Sequence, residues 1–174
     1  MLLSSENSST WLPIRFGNLH EKNLEQLKRL NLAIFPIKYG ERFYEEVLKA
    51  SPGLVKLAYY HDFLIGAYCC RKETGPDKQS KIYILTIGVL APYRELGVGS
   101  QLLQQILQLP KTDKFKDITE VYAHVQTSNE IALSFYQKHG FQIGEKKTNY
   151  YRDIDPPDCY VVYKKYTNGI EKDL

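Results

Sequence analysis

Two groups of residues in this 174-residue chain have the types and spacing of reactive machinery. The first is the run Arg94-Glu95-Leu96-Gly97-Val98-Gly99, set between a dense apolar stretch that opens at Lys81 and a helical pattern that reaches Gln108. A buried strand, a basic Gly-containing turn and a helix start make an anion-binding device. Successive backbone N–H groups point out of the turn, and the helix dipole favours negative charge. No Gly-Lys-Ser/Thr follows, as a nucleoside-triphosphate loop would need, and Leu102 stands at the third glycine position of a dinucleotide fingerprint. Read alone, the hexapeptide fits a phosphate cradle and a merely tight strand-to-helix turn equally. The second group is Tyr83 and His124, on two strands that read as neighbours. Both side-chain types can move protons at a reacting centre, yet pattern alone explains each better as a packed sheet residue.

The elements that must position these groups follow from periodicity and punctuation. Leu12, Ile14 and Phe16 alternate in a first strand over 11–19. Asn23 reads as a helix N-cap with Gln26 at the capping-box position, Leu24, Leu27, Leu30 and Ile34 on one face, and Pro36 as the stop. A second helix over 40–50 ends at Ser51-Pro52-Gly53. Strands over 54–60 and 63–71 form a hairpin turned at His61-Asp62, and 72–80 reads as an exposed loop. The central strand covers 81–90. Gly88 within it reads as a bulge that would aim the amides of Ile87 and Val89 at a carbonyl group. A helix over 97–108 buries Leu102, Leu103, Ile106 and Leu107.

Over 118–125 a strand puts Tyr122 and His124 on one face and Val121, Ala123 and Val125 on the other. Thr127-x-x-Glu130 reads as a capping box for a helix that runs to Lys138 and stops at Gly140. Strands over 141–147 and 159–165 complete the order β-α-α-β-β-β-α-β-α-β-β. The expectation is one α/β domain at 11–166, with a flexible N-terminal tail at 1–10 and a C-terminal tail at 167–174.

The wider context of the turn narrows its reading. Arg94, Gly97 and Gly99 fit (Gln/Arg)-x-x-Gly-x-(Gly/Ala), and Asn129-x-x-Ala132-x-x-Phe135-Tyr136-x-x-x-Gly140-Phe141 follows downstream. These runs resemble motifs A and B of the GCN5-related N-acetyltransferases. Further stretches, among them Ile34-Phe35-Pro36, Leu90-Ala91-Pro92-Tyr93, His124-Val125-Gln126 and Asn149-Tyr150-Tyr151, resemble the catalytic subunits of NatE N-terminal acetyltransferases from about Leu19 to Lys165.

The resemblance implies an α/β (α+β) GNAT fold, a single domain whose mixed, splayed sheet of about seven strands is flanked by about four helices. It implies acetyl-CoA as co-substrate and no metal. It places the cofactor against Ile87, Val89, Arg94, Glu95, Leu96, Gly97, Val98, Gly99, Ser100, Asn129 and Tyr136. It makes Tyr83 and His124 a water-mediated base pair and Tyr136 the acid near the CoA sulfur. It gives Phe35, Pro36, Ile37, Tyr39, Tyr83, Tyr150 and Tyr151 to the substrate, with an apolar pocket for an initiator Met and tyrosines on the peptide backbone. Implied partners are protein N-terminal peptides and the NatA catalytic and auxiliary subunits at the ribosome. Ile37 stands where the family usually has Val, Glu95 replaces a more usual basic or small residue, and the Lys111–Lys116 segment diverges.

Elementary chemistry bears on the acceptor. A peptide α-amine titrates near 7.7–8.0 and a lysine near 10.4, so freeing lysine at neutral pH costs about 3.5 kcal/mol more. A histidine base suits the α-amine, while lysine acetylation and a purely accessory role in a larger assembly remain the competing readings. Composition bounds the rest. A net charge of +3 gives no reason for nucleic-acid binding, and fourteen tyrosines exceed what a core can satisfy, so some must line clefts. Cys69, Cys70 and Cys159 have no metal spacing and read as reduced thiols. Absence of a signal or membrane-spanning run points to a cytoplasmic or nuclear protein without membrane attachment.

Overall fold

The computed structural model describes residues 11–167 and 169–172; the tail expected at 1–10 lies outside them. The chain runs β1 (Arg15–Gly17), α1 (Leu24–Ile34), α2 (Glu41–Leu48), β2 (Val55–Tyr60), β3 (Phe63–Thr74), β4 (Ser80–Val89), α3 (Val98–Gln108), β5 (Ile118–Gln126), α4 (Glu130–Lys138), β6 (Gln142–Lys147), β7 (Cys159–Thr167) and β8 (Ile170–Glu171). One sheet holds the strands in the order β1-β2-β3-β4-β5-β7-β6, with β8 paired to β7. The fold is the expected GNAT one, with an eighth short strand.

β3 is apolar almost without alternation because both faces of the sheet are covered there. Cys69 packs under α1 and α2 with Leu27, Leu30 and Val47, while Cys70 packs under α3 with Leu102 and Ile106. The two adjacent thiols therefore sit in separate cores. β2 and β3 join through a tight turn in which His61 and Asp62 both have positive φ, as a two-residue hairpin loop requires.

Among the described residues β4 and β5 are the one parallel pair, and they hold together only from Ser80↔Ile118 to Tyr83↔Tyr122. Beyond that point the strands part, so the sheet carries a wedge at its centre.

Several expected boundaries move for local reasons. The 72–80 segment is mostly strand: β3 and β4 extend along each other to Thr74↔Ser80 and leave only 75–79 as the turn. Asn23 does not cap α1. Its side chain accepts from the His20 N–H at 2.9 Å and donates to the Asn18 carbonyl at 2.9 Å, closing a short 3₁₀ turn that precedes the helix. The Thr127 box is likewise absent, because Asn129 caps α4 by accepting from the Ala132 N–H at 3.1 Å. Thr167 and Ile170–Glu171, assigned to the C-terminal tail, form the β7–β8 hairpin, where the buried Lys164 ammonium pairs with Glu171 and donates to the His139 carbonyl.

Candidate active site

The wedge begins where Tyr83 and Tyr122 stop pairing, and His124 lies two residues farther along β5 on the same face. The Tyr83 hydroxyl is 3.0 Å from His124 Nδ1. Its ring stacks on Tyr122 at 4.9 Å and 10°, and the Tyr122 hydroxyl donates to Glu73 at 2.5 Å. Tyr150, from the loop between β6 and β7, closes a triangle: its hydroxyl is 3.1 Å from the Tyr83 hydroxyl and 3.2 Å from His124 Nδ1. Its ring lies flat on the imidazole at 4.4 Å and 17°. Three proton-carrying groups thus meet at one point, with His124 Nε2 buried and unpartnered on the other side of the ring.

Burial sets their charge states. It lowers the His124 pKa from its ordinary value, with the Lys147 charge adding to the effect, so the imidazole is neutral at pH 7. Burial, reinforced by the bond to Tyr150, pushes Tyr83 far above the usual phenol range. Tyr83 therefore stays protonated and can only donate or share a hydrogen bond, which leaves His124 as the base. Tyr136, buried in α4, is likewise held up by burial and remains an acid. Tyr39 is pushed up to about 12 by the same cause.

Gly88 is not the bulge. It pairs with Ala67 in regular register, whereas Cys69 faces Thr86 and Cys70 faces Ile84, so Leu85 is the extra residue. Gly88 has a different reason to lack a side chain. A Cβ there would lie 2.8 Å from Ile34 Cγ2 and 2.9 Å from Phe35 Cζ, so the end of α1 rests directly on β4. The expected direction of the amides nonetheless follows from the ladder. The Leu90 N–H donates to the Ile65 carbonyl at 2.8 Å. Antiparallel alternation then turns Gly88 and Thr86 toward β3 and leaves the N–H groups of Val89 and Ile87 facing the wedge.

At the end of β4 the chain makes one 3₁₀ turn and enters the 94–99 run. The Arg94 Nε–H donates to the Val89 carbonyl at 2.9 Å, tying the turn to the strand. Glu95 (φ 61°) and Gly97 (φ 77°) are left-handed. The first α-helical bond of α3 runs from the Gln101 N–H to the Gly97 carbonyl at 3.0 Å. The N–H groups of Val98, Gly99 and Ser100 therefore have no acceptor within the helix, and no side chain caps it. A Cβ on Gly99 would approach Phe135 no closer than 3.5 Å, so protein packing does not demand glycine there; an approaching ligand backbone would. Open amides flanked by Gly97 and Gly99, which present no side chain, fit the pyrophosphate of acetyl-CoA.

A cavity of about 350 Å³ unites the wedge with the substrate segments. Phe35, Pro36, Ile37 and Tyr39 wall one side, and Tyr150 and Tyr151 the other, with Tyr83, Ile87, His124, Asn129 and Tyr136 between them. Val89, Glu95 and Leu96 stand outside the cavity wall, with the rest of the turn. The wall is held by aromatic packing: Phe35 meets Tyr39 edge-on at 5.9 Å, and Tyr39 stacks on Phe43 at 4.4 Å. Sequence reasoning missed Phe43, Gln126 and Ile154, which also line it. Gln126 donates to the Pro156 carbonyl at 2.9 Å and so anchors the tyrosine loop to β5. Ile154, apolar among Arg152, Asp153 and Asp155, carried a legible signal. A larger, open depression of about 650 Å³ lies beyond Tyr122, between Glu73, Glu120 and Glu145. It includes neither the base pair nor the turn, so the smaller wedge is the candidate site.

Comparison with known proteins agrees with this geometry. Residues 24–141 match the acetyltransferase (GNAT) family. The chain is 46% identical over 151 residues to N-alpha-acetyltransferase 50 of Danio rerio, covering 87% of this chain and 88% of the relative. It is 41% identical over 151 residues to the probable N-acetyltransferase san of Drosophila melanogaster, covering 87% and 80%. Among solved structures, Arabidopsis thaliana Naa50 in complex with the bisubstrate analogue CoA-Ac-MVNAL superposes with a TM-score of 0.80 at 44% identity, covering 88% of this chain and 99% of that one. With motifs, fold and wedge in agreement, the chain belongs to the GNAT acetyltransferase family.

Proposed function

We propose that the protein, an acetyl-CoA-dependent N-terminal acetyltransferase of the NatE type, acetylates the α-amine of a retained initiator Met followed by a hydrophobic or similar residue. The observation that carries this reading is the Tyr83–His124–Tyr150 triangle at the floor of an apolar cavity. A neutral imidazole sits where an amine entering between Phe35 and Tyr151 would present its proton.

Acetyl-CoA supplies the thioester. The open amides of Val98, Gly99 and Ser100 hold its pyrophosphate, and those of Ile87 and Val89 face the wedge where the acetyl carbonyl is received. His124 takes the amine proton, directly or through a water held by Tyr83, and Tyr136 returns a proton to the departing sulfur. The apolar wall of Phe35, Pro36, Ile37 and Ile154 receives the Met side chain, while the hydroxyls of Tyr39, Tyr150 and Tyr151 reach the peptide backbone.

Chains solved within NatB and NatC complexes share the fold with this chain at 20–21% identity. Association with the NatA subunits at the ribosome, in the cytoplasm, extends the proposal. Co-purification with those subunits from ribosome fractions tests that extension. Steady-state acetylation of peptides varied at the first two positions tests the substrate reading. Met-Leu and Met-Val peptides should exceed Ser- and Ala-initiated ones in kcat/KM, and equal rates across the set would refute it.

A further inference from the structure

We infer that Trp11–Leu12 is a strap that aims the 94–99 turn at the pyrophosphate of acetyl-CoA, with Trp11 and Gln101 as its positioning residues; this rests on the cofactor reading of the turn given above. The Leu12 N–H donates to the Leu96 carbonyl at 2.9 Å. The Gln101 side-chain amide, one turn into α3, donates to the Leu12 carbonyl at 2.9 Å. A trans peptide unit points its C=O and N–H in opposite directions. By gripping the Leu96 carbonyl, the strap fixes the plane of the Leu96–Gly97 peptide and turns the Gly97 N–H away from itself, free for a ligand.

Trp11 completes the grip. A Cβ built on Gly97 would lie 2.5 Å from Trp11 Cγ and Cδ1, so the indole rests on bare Gly97 backbone. Trp11 is 40% exposed, so burial alone does not account for its place.

The turn needs such a grip. Glu95 and Gly97 are both left-handed, and a non-glycine residue there costs about 1 kcal/mol or more and persists only where its surroundings over-determine it. Helix starts are commonly fixed by a side chain that accepts from the first amides. α3 has none, and the strap fixes the turn through a carbonyl instead. The amides that a phosphate would use stay open. Trp11 and Leu12 lie outside the family match at residues 24–141, whereas Gln101 lies within it.

The test uses the full chain. Trp11→Ala and Gln101→Leu should each raise the KM for acetyl-CoA about 5- to 10-fold, the ratio expected for loss of one partly buried contact or hydrogen bond. Peptide KM and kcat should stay within twofold of the parent, and Trp11→Phe should restore cofactor KM. Unchanged cofactor KM in both variants overturns the strap, as does an equal rise in both substrates' KM, which would mark a merely structural role. Calorimetric titration separates this from the underlying reading. An unsubstituted protein that fails to bind acetyl-CoA refutes the cofactor site itself, whereas tight binding unaffected by either substitution refutes the strap alone. Trp11 is the sole tryptophan. Its emission should therefore change on acetyl-CoA addition and saturate at the calorimetric Kd; invariant emission would count against the proposal.

Discussion

Replacing Tyr83 by Phe removes one oxygen and leaves the ring stacked on Tyr122, so its effect reads the hydrogen bond to His124 rather than packing. When His124 takes the amine proton, the 3.0 Å contact becomes a bond to a charged partner, of a kind that contributes about 1.5–3 kcal/mol. At 1.36 kcal/mol per decade, that is a loss of roughly 10- to 150-fold in kcat/KM. Tyr150 moderates it. Its hydroxyl already lies 3.2 Å from the same nitrogen and can take over part of the role, which places the single substitution near 10-fold. Removing both hydroxyls, Tyr83→Phe with Tyr150→Phe, should reach about 100-fold or more, because no hydroxyl remains to accept from the charged imidazole. Acetylation of a Met-Leu peptide, followed by mass spectrometry at several peptide concentrations, measures the ratios, and an unchanged thermal midpoint shows that the fold survives. A Tyr83→Phe enzyme within twofold of the parent, with a double variant no worse, would refute the assignment of His124 and its hydroxyl partners as the proton-handling centre.

Other substitutions probe the remaining walls. Gly88→Ala should lower stability by about 1–3 kcal/mol and raise peptide KM, since the new methyl meets Ile34 and Phe35 under 3 Å; unchanged melting and kinetics would contradict the close approach of α1 to β4. Ile154→Ala should raise KM for Met peptides about 10-fold while sparing acetyl-CoA, as loss of one apolar wall predicts, and equal changes in both would argue against a side-chain pocket.

The pH dependence follows from direction. His124 has a folded pKa below its ordinary 6.5, so its neutral form, and any stability linked to it, is present above that value and is lost as pH falls through the folded pKa. Accordingly the kcat limb that belongs to His124 should lie below about 6.5, apart from any limb near 7.7–8.0 set by the substrate α-amine, and a His124-dependent limb centred above pH 7 would contradict a buried neutral imidazole.

Much of this arrangement was legible in the sequence because it is periodic or punctuated. Alternation in 118–125 placed Tyr122 and His124 on one face, and the Gly97–Gly99 turn stood out between a strand and a helix pattern. What escaped depends on contacts made across the fold. Gly88 looked like a bulge, yet its reason is the end of α1, more than fifty residues earlier in the chain. The true extra residue, Leu85, is an ordinary apolar residue with no local mark. Asn23 and Thr127 carried capping signatures, but neighbouring backbone offered Asn23 better partners and Asn129 reached the α4 amide first. Tyr150 could be assigned to a substrate loop but not to the imidazole, since a loop's folded path has no period to read.

The mechanism turns on the delivery of an α-amine, not a lysine, to His124. A single peptide with a free N-terminal Met and one internal lysine tests it: incubation with acetyl-CoA is followed by fragmentation that locates the acetyl group. Acetylation at the α-nitrogen, lost in His124→Ala, is the expected result. Acetyl on the lysine, or transfer that His124→Ala leaves unchanged, would contradict it.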